Sequence, residues 1–250
     1  MISPKAKHHF LICICVLLLP TANSIAEEVL VAVASNFSVT AAKIADQFEQ
    51  ETGHSLTLAI GSTGHHYAQI VNGAPYDIFL SADEGRPLLL EESGLAVAGS
   101  RFTYALGLLV LWSSNFEPSP ESLSQGNTYR HLAIANPRFA PYGVAALDFL
   151  ESYGLAMQAA PKIVMGKNVA QTLQFVQSGS AQMGLVSLAQ VLSLPEQKSG
   201  HYWHIEQSNY RPIRQQAVLI KNKESAREFM KFLQGAKARQ IILSAGYALE

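Results

Sequence analysis

The chain has 250 residues, 48% of them hydrophobic and 15% charged, with a formal net charge of −1. That length and apolar content suffice for one large core or two modest ones and exclude extended disorder, while the near-neutral balance lacks the basic surface that a nucleic-acid partner needs. Both cysteines, Cys13 and Cys15, fall in one N-terminal apolar run, so the remainder of the chain has no thiol, disulfide or cysteine-based metal chemistry.

That run opens the chain order. Lys5 and Lys7 give a basic start, an apolar stretch follows from Phe10 to Leu19, Pro20 breaks it, and Ser24-Ile25-Ala26 places small residues where a signal peptidase reads. Residues 1–26 are therefore expected to be a cleaved signal peptide; the stretch is too short to span a bilayer comfortably. Cleavage after Ala26 leaves 224 residues from Glu27 onward, and losing two lysines but no acid moves the charge from −1 to −3. A free periplasmic protein is the expectation.

From Val29 short apolar strands alternate with helical patterns, which argues for α/β layering with largely parallel sheets. Strands are expected at Val29–Ala34, Leu56–Ile60 and Asp77–Ser81. Between the first two, Ala41, Ile44, Ala45 and Phe48 recur at i, i+3, i+4, i+7 on one face of a helix, which Gly53 ends in a left-handed cap. A further helix over Glu84–Glu92 takes Asp83 as its N-cap. Phe102–Trp112 is a long, almost unbroken apolar stretch suited to passing from one lobe to another, and Pro118–Asn127 reads as loop with a single helical turn.

The alternation then repeats: strand His131–Ala135, helix Tyr142–Tyr153, strand Ile163–Met165, helix Asn168–Ser178 capped by Asn168, strand Gln182–Val186 and a strand near Tyr202–Glu206. A second long strand, Ile213–Lys221, carries the chain back. Ala226, Phe229, Met230 and Leu233 then mark the inner face of a helix, and Gly235 leads into a last one. The two long connectors predict two lobes, residues 27–104 with 214–250 and residues 105–213.

Candidate chemistry sits where strands end. Ser35 and Asn36 follow the first strand, and Gly61-Ser62-Thr63-Gly64 follows the second; both loops open helices and neither carries lysine or arginine. Backbone N–H groups are unpaired at a helix N-terminus and the helix dipole is positive there, so two such loops facing one point form a cradle for an oxyanion. The second lobe must answer from its own strand-to-helix loops. Tyr142 offers an N–H and a phenol, and Val169 an N–H in the opening turn of its helix. Taken singly, Ser35 and Asn36 read as helix caps and Tyr142 as a core aromatic; the pairing of loops is what favours a site. His65 and His66 are adjacent, do not converge on one ion, and are expected at the surface or rim. No G-x-S-x-G, Walker loop, G-x-G-x-x-G or H-E-x-x-H occurs, so no catalytic residue, metal site or cofactor is expected.

The block Asn72-Gly73-Ala74-Pro75-Tyr76-Asp77-Ile78-Phe79-Leu80-Ser81-Ala82-Asp83, with Val33-Ala34-Ser35-Asn36-Phe37 and Gly61-Ser62-Thr63-Gly64, resembles the periplasmic molybdate-binding proteins of ABC transporters, and the match runs from Val29 to the C-terminus. The resemblance implies a two-lobed type II periplasmic binding protein fold, each lobe a mainly parallel sheet flanked by helices, with two connecting strands as hinge. It further implies a monomer that closes on molybdate, and usually tungstate, and docks on a membrane permease. By position Ser35, Asn36, Thr63 or its neighbour Ser62, Tyr142 and Val169 match the family's oxyanion contacts. One departure stands out: many members carry a ligand tyrosine after a G-[FIL]-V strand, whereas Gly184-Leu185-Val186 is followed here by Ser187, leaving Tyr142 as the candidate phenol. Two other classes compete. A hydrolase or transferase on a similar scaffold would need a perturbed acid or base beside the loops, where only Asp77 and Asp83 stand. A binder of organic carboxylates would use a cleft arginine, for which Arg138 is the one candidate.

Overall fold

The computed structural model describes residues 26–125 and 129–250. The expected signal peptide, except Ala26, lies outside the described residues, as does the end of the loop expected over Pro118–Asn127. The first part of the chain contains β1 (Glu28–Ala34), α1 (Ser38–Thr52), β2 (Ser55–Gly61), α2 (Thr63–Val71), β3 (Ile78–Leu80), α3 (Gly85–Glu92) and β4 (Phe102–Gly107). The middle contains β5 (Leu109–Ser113), α4 (Pro120–Ser124), β6 (Leu132–Ala135), α5 (Pro141–Ser152), α6 (Ala156–Ala159), β7 (Ile163–Gly166), α7 (Val169–Gln177), β8 (Met183–Ser187), α8 (Leu188–Leu192) and β9 (His201–His204); the last part is β10 (Ile213–Leu219), α9 (Glu224–Gln234) and α10 (Ala236–Ser244).

The strands form two five-stranded sheets, β2-β1-β3-β10-β4 and β7-β6-β8-β5-β9. In each, three neighbouring strands are parallel and one strand runs against both its neighbours, β10 in the first sheet and β5 in the second. Four of five strands thus share a direction, and both sheets are mixed rather than purely parallel. The reversed strand is in each case the one arriving from the other sheet: Leu108 alone separates β4 from β5, and the chain returns between β9 and β10. A strand that enters from outside need not make the right-handed helical crossover that imposes parallel pairing. Residues 105–107 remain in β4 and so in the first sheet.

Local signals explain the elements. Ala41, Ile44, Ala45 and Phe48 of α1 are buried, and Gly53 ends the helix at φ 76° with its N–H on the Glu49 carbonyl at 2.9 Å. In α9 the buried set is Ser225, Ala226, Phe229, Met230 and Leu233. Asp83 lies one residue outside the Glu84 cap position, yet its Oδ1 accepts from the Arg86 N–H at 3.0 Å and so does the capping. Helices α6 and α8, four and five residues long, were not expected, because so few residues cannot display a 3.6-residue period.

Two main cores hold the sheets apart. One packs Trp112, Ile134, Phe149, Val176 and Leu185 around the second sheet; the other packs Val31, Phe37, Phe48, Ile78 and Phe229 around the first. The C-terminal segment returns to the edge of β4, where Leu106 and Ala248 exchange backbone hydrogen bonds at 2.7 and 3.0 Å. Among the described residues no helix is long and apolar enough to cross a membrane.

Candidate functional site

Four chain segments end at one point between the sheets. The C-terminal ends of β1 and β2 deliver Ser35-Asn36 and Ser62-Thr63 from one side; the loops after β6 and β7 deliver Ala140-Pro141-Tyr142 and Asn168-Val169 from the other. With Ala34 and Ala82 these residues enclose a cavity of about 10 Å3, expressed as the room for the centre of a water-sized sphere. Space of that kind is about that of a single water, so the lining closes tightly around the point where the four segments meet. All six residues expected from the sequence line it, and no lining residue carries a charge.

Each segment is a helix entrance. A short 3-10 turn, Ser35–Phe37, leads into α1, and α2, α5 and α7 begin at Thr63, Pro141 and Val169. Opening-turn N–H groups have no intrahelical acceptor, and among the described residues those of Asn36, Thr63, Tyr142 and Val169 bond to no protein group. Each helix N-terminus carries roughly half a positive charge, so four of them converging on one cavity supply about two units. That matches a doubly charged anion with no formal cation present.

The side chains divide into those facing the cavity and those building it. Ser35 is buried, and its hydroxyl makes no hydrogen bond among the described residues; its carbonyl accepts from Ser38 Oγ at 3.0 Å and Gln190 Nε2 at 3.3 Å. No side chain caps the Ser35 turn or α1, so the reading of Ser35 and Asn36 as simple helix caps fails. Asn36 contributes only its N–H, because its Nδ2 donates to Gln215 Oε1 at 2.8 Å and to Tyr247 Oη at 3.2 Å. Ser62 Oγ caps α2 by accepting from the His65 N–H at 3.3 Å. Thr63 Oγ1 accepts from the Ala82 N–H at 3.0 Å. Both hydroxyls keep a proton to donate.

On the other side the donors are mostly backbone. Asn168 Oδ1 accepts from the Gln171 N–H at 2.9 Å, which leaves its amide NH2 free to donate, and Val169 has only its N–H to offer. The Tyr142 phenol stands beside Gly107 and Gln215, where a Cβ on Gly107 would lie 2.4 Å from Oη and 2.8 Å from Gln215 Nε2. Burial pushes this phenol far above its ordinary pKa, as it does those of Tyr104 and Tyr247. All three stay neutral beside an anion.

Several supporting residues were not visible in the sequence. His66, expected at the rim, is buried: Nε2 donates to the Val33 carbonyl at 3.2 Å and Nδ1 lies 3.2 Å from the Gln69 amide. Its ring fits because Gly61 lacks a side chain; a Cβ there would sit 2.7 Å from Nε2. Burial lowers its pKa, against hydrogen bonds that raise it. Across the cleft, the Gly64 N–H donates to the Phe139 carbonyl at 2.8 Å and Arg86 Nη2 to the Arg138 carbonyl at 3.1 Å. Gly64 is itself a close-approach glycine, since a Cβ would meet the Phe139 Cα at 2.9 Å. These bonds join the two sides in a closed arrangement.

The rival readings lose their residues. Asp77 accepts from the Leu30 N–H at 2.8 Å and pairs with Lys221 at 3.6 Å, while Asp83 caps α3 and pairs with Arg86. Arg138 is exposed, with its guanidinium over the Phe139 ring at 5.3 Å, and does not line the cavity. Among the described residues no three His, Cys, Asp or Glu side chains converge as a metal site.

Comparison with known proteins agrees with this geometry. Residues 29–248 match the family described as bacterial extracellular solute-binding protein. A molybdate-binding protein of Azotobacter vinelandii is 44% identical over 230 residues, 90% of this chain and 91% of the relative. One of Rhodobacter capsulatus is 41% identical over 229 residues, 90% of each. The solved structure titled as the Azotobacter vinelandii periplasmic molybdate-binding protein superposes with a TM-score of 0.82 at 43% identity, covering 89% of this chain and 99% of that one.

Proposed function

Since the chain belongs to the bacterial extracellular solute-binding proteins, we propose that it captures molybdate between its two lobes outside the cytoplasmic membrane and delivers it to an ABC permease. It is a transport component and not an enzyme. The observation that carries the ligand assignment is the cavity itself: four helix entrances, hydroxyls on one side, N–H groups on both, and no charged side chain in the lining.

The chemistry of that donor set is selective. Burying a dianion costs many kcal/mol unless hydrogen bonds replace its water. Bonds to a charged group contribute about 1.5–3 kcal/mol each, so six or so donors give on the order of 10–20 kcal/mol before ordering costs. Ser35 Oγ, the Asn36 N–H, the hydroxyl and N–H of Ser62 or Thr63, and the N–H groups of Tyr142 and Val169 are the proposed contacts. Protonated phosphate must donate a proton as well as accept; no carboxylate lines the cavity, and Asn168 Oδ1 is committed to its cap. Fully ionised tetrahedral anions fit, and tungstate, of nearly the same size and charge as molybdate, should bind as well. Sulfate is smaller, so donors spaced to reach all sides of molybdate would not all reach it.

Calorimetry of the chain from Glu27 with molybdate, tungstate, sulfate and phosphate tests this. Near-equal tight binding of the first two, with sulfate at least a hundredfold weaker, is expected. Sulfate binding as strong as molybdate would overturn the ligand assignment.

A further inference from the structure

Behind the cavity lies a buried polar cluster that meets its lining at Asn36 and Tyr142. Its hub is Gln215, fully buried on β10, the strand by which the chain re-enters the first sheet after leaving the second. The pairing of β10 with β4 shifts register between Gln215 and Gln216. Such an irregularity re-aims side chains that would otherwise alternate. Gln216 reaches Arg101 at 2.6 Å and Thr103 at 3.1 Å, while Gln215 points inward.

Gln215 Oε1 accepts from Asn36 Nδ2 at 2.8 Å and from Tyr104 Oη at 3.2 Å. Its Nε2 faces the Tyr142 phenol across the space left by Gly107. Tyr142 Oη, Ser187 Oγ and Gln215 Nε2 are all buried without a partner that satisfies hydrogen-bond geometry, although the phenol stands beside both other groups. Buried polar atoms in a native fold are ordinarily paired, so three left together mark a junction whose geometry is set by something other than their own pairing. Asn36 and Tyr142, one from each lobe, both line the cavity, and their backbone N–H groups bond to no protein group among the described residues.

We propose that Gln215 is a positioning residue for anion capture, tying the Asn36 loop of one lobe to the Tyr142 helix end of the other through β10, so that lobe closure and the aiming of these two N–H donors are one event. The inference rests on the anion-capture reading above. In it the phenol of Tyr142 does not touch the anion. It reports the position of α5 to the hinge through Gly107 and Gln215, and Ser187, a small residue at the end of β8 beside the phenol, leaves room for that placement.

The test uses Gln215→Met, which keeps length and removes both polar ends, Tyr142→Phe, and the double variant. Wild type is first titrated with the four oxyanions, and the variants are compared with whichever binds tightest. Gln215→Met should weaken that anion at least tenfold, mainly through faster dissociation, and reduce the contraction seen by small-angle scattering at saturation. Tyr142→Phe should do the same more mildly, and the double variant should bind no worse than Gln215→Met, because one relay is cut twice. Unchanged affinity in Gln215→Met, or losses that multiply in the double variant, would overturn the relay. So would a loss explained wholly by a lower ligand-free melting temperature. Sulfate emerging as the preferred anion defeats the molybdate reading while leaving the relay to stand or fall on these variants; wild type binding no oxyanion defeats both.

Discussion

The two sides of the cavity solve one problem with different chemistry. The side built from β1 and β2 brings side chains: the Ser35 hydroxyl is unpaired among the described residues, and Ser62 and Thr63 each accept one backbone bond while keeping a proton to give. The side built from β6 and β7 brings mostly backbone, with the Tyr142 phenol beside Gly107 and Gln215 and Asn168 Oδ1 occupied in capping α7. Side-chain donors can be tuned one residue at a time. Backbone donors are fixed by where a helix begins, so their accuracy depends on the packing that seats the helix.

This contrast predicts that the backbone side breaks hardest where its helix is seated. A Cβ on Gly143 would lie 2.1 Å from the Ala135 carbonyl oxygen and 2.8 Å from the Pro137 nitrogen, both backbone atoms that cannot rotate away. Gly143→Ala must displace the first turn of α5, with a stability cost of about 3 kcal/mol by comparison with overpacked cores and a loss of molybdate affinity of more than about a hundredfold, equivalent to ~3 kcal/mol. Thermal unfolding and calorimetry together measure it. Normal affinity in a folded Gly143→Ala protein would show that the α5 entrance is not part of the site.

Next in size is the removal of a single donor. Val169 is the first residue of α7 and follows Asn168 at φ −152°, ψ 175°, a conformation that tolerates a following proline; proline itself is favoured at that first helical position. Val169→Pro therefore deletes the N–H and little else, and should cost about 1.5–3 kcal/mol of binding. Val169→Ala keeps the N–H and should leave affinity nearly unchanged despite a small loss of stability. On the hydroxyl side Ser35→Ala should cost about 1–3 kcal/mol. If Val169→Pro binds as tightly as Val169→Ala, the backbone half of the comparison is wrong.

How much of this was legible beforehand follows the same division. The hydroxyl loops announced themselves through residue type, and the α2, α5 and α7 entrances through strand-to-helix order, so six of the eleven lining residues could be named from the sequence. What stayed hidden was orientation. Asn36 and Tyr142 belong to the lining, yet their side chains turn away from it toward Gln215 and Tyr247, which lie 179 and 211 residues from Asn36 along the chain. No local pattern encodes such a distant meeting, and the β10 irregularity that turns Gln215 inward has no sequence signature. His66 misled for a related reason: its burial depends on the missing side chain of Gly61 and on the Val33 carbonyl, neither of which its own helical position reveals.

A gentler test separates assembly of the two sides from the quality of either. Gly64 lies in the first turn of α2 with ordinary helical geometry, and the obstacle to a Cβ is Phe139 of the opposite lobe. Gly64→Ala should leave the ligand-free protein as stable as before, or up to about 0.5–1 kcal/mol more so through reduced backbone freedom. Closure must then push the lobes apart by a few tenths of an ångström, weakening affinity by about 1 kcal/mol. Scattering should show incomplete contraction at saturation. Full contraction with normal affinity would mean that the Gly64 to Phe139 contact is incidental.

The smallest effect concerns what stands behind each side. The hydroxyl side is backed by His66, a titratable ring bonded to the Val33 carbonyl, whereas the phenol behind the backbone side stays neutral throughout the ordinary pH range. Burial lowers the His66 pKa below its ordinary 6.5, with the exposed neighbour His65 adding slightly in the same direction. The unfolded chain therefore takes up a proton on this residue at a higher pH than the folded protein does, so stability is intact above about 6.5 and declines as pH falls below it, levelling off once the folded ring is also charged. The decline is limited to about 1.4 kcal/mol per unit of pKa difference. Melting curves of the ligand-free protein between pH 7.5 and 5.5 should show that fall, and His66→Gln should flatten it while leaving the slope from the carboxylates at lower pH. An identical pH profile in His66→Gln would mean that the ring is not held neutral by its burial. In that case the β1 and β2 loops would owe their shape to Gly61 and the Ser62 cap alone.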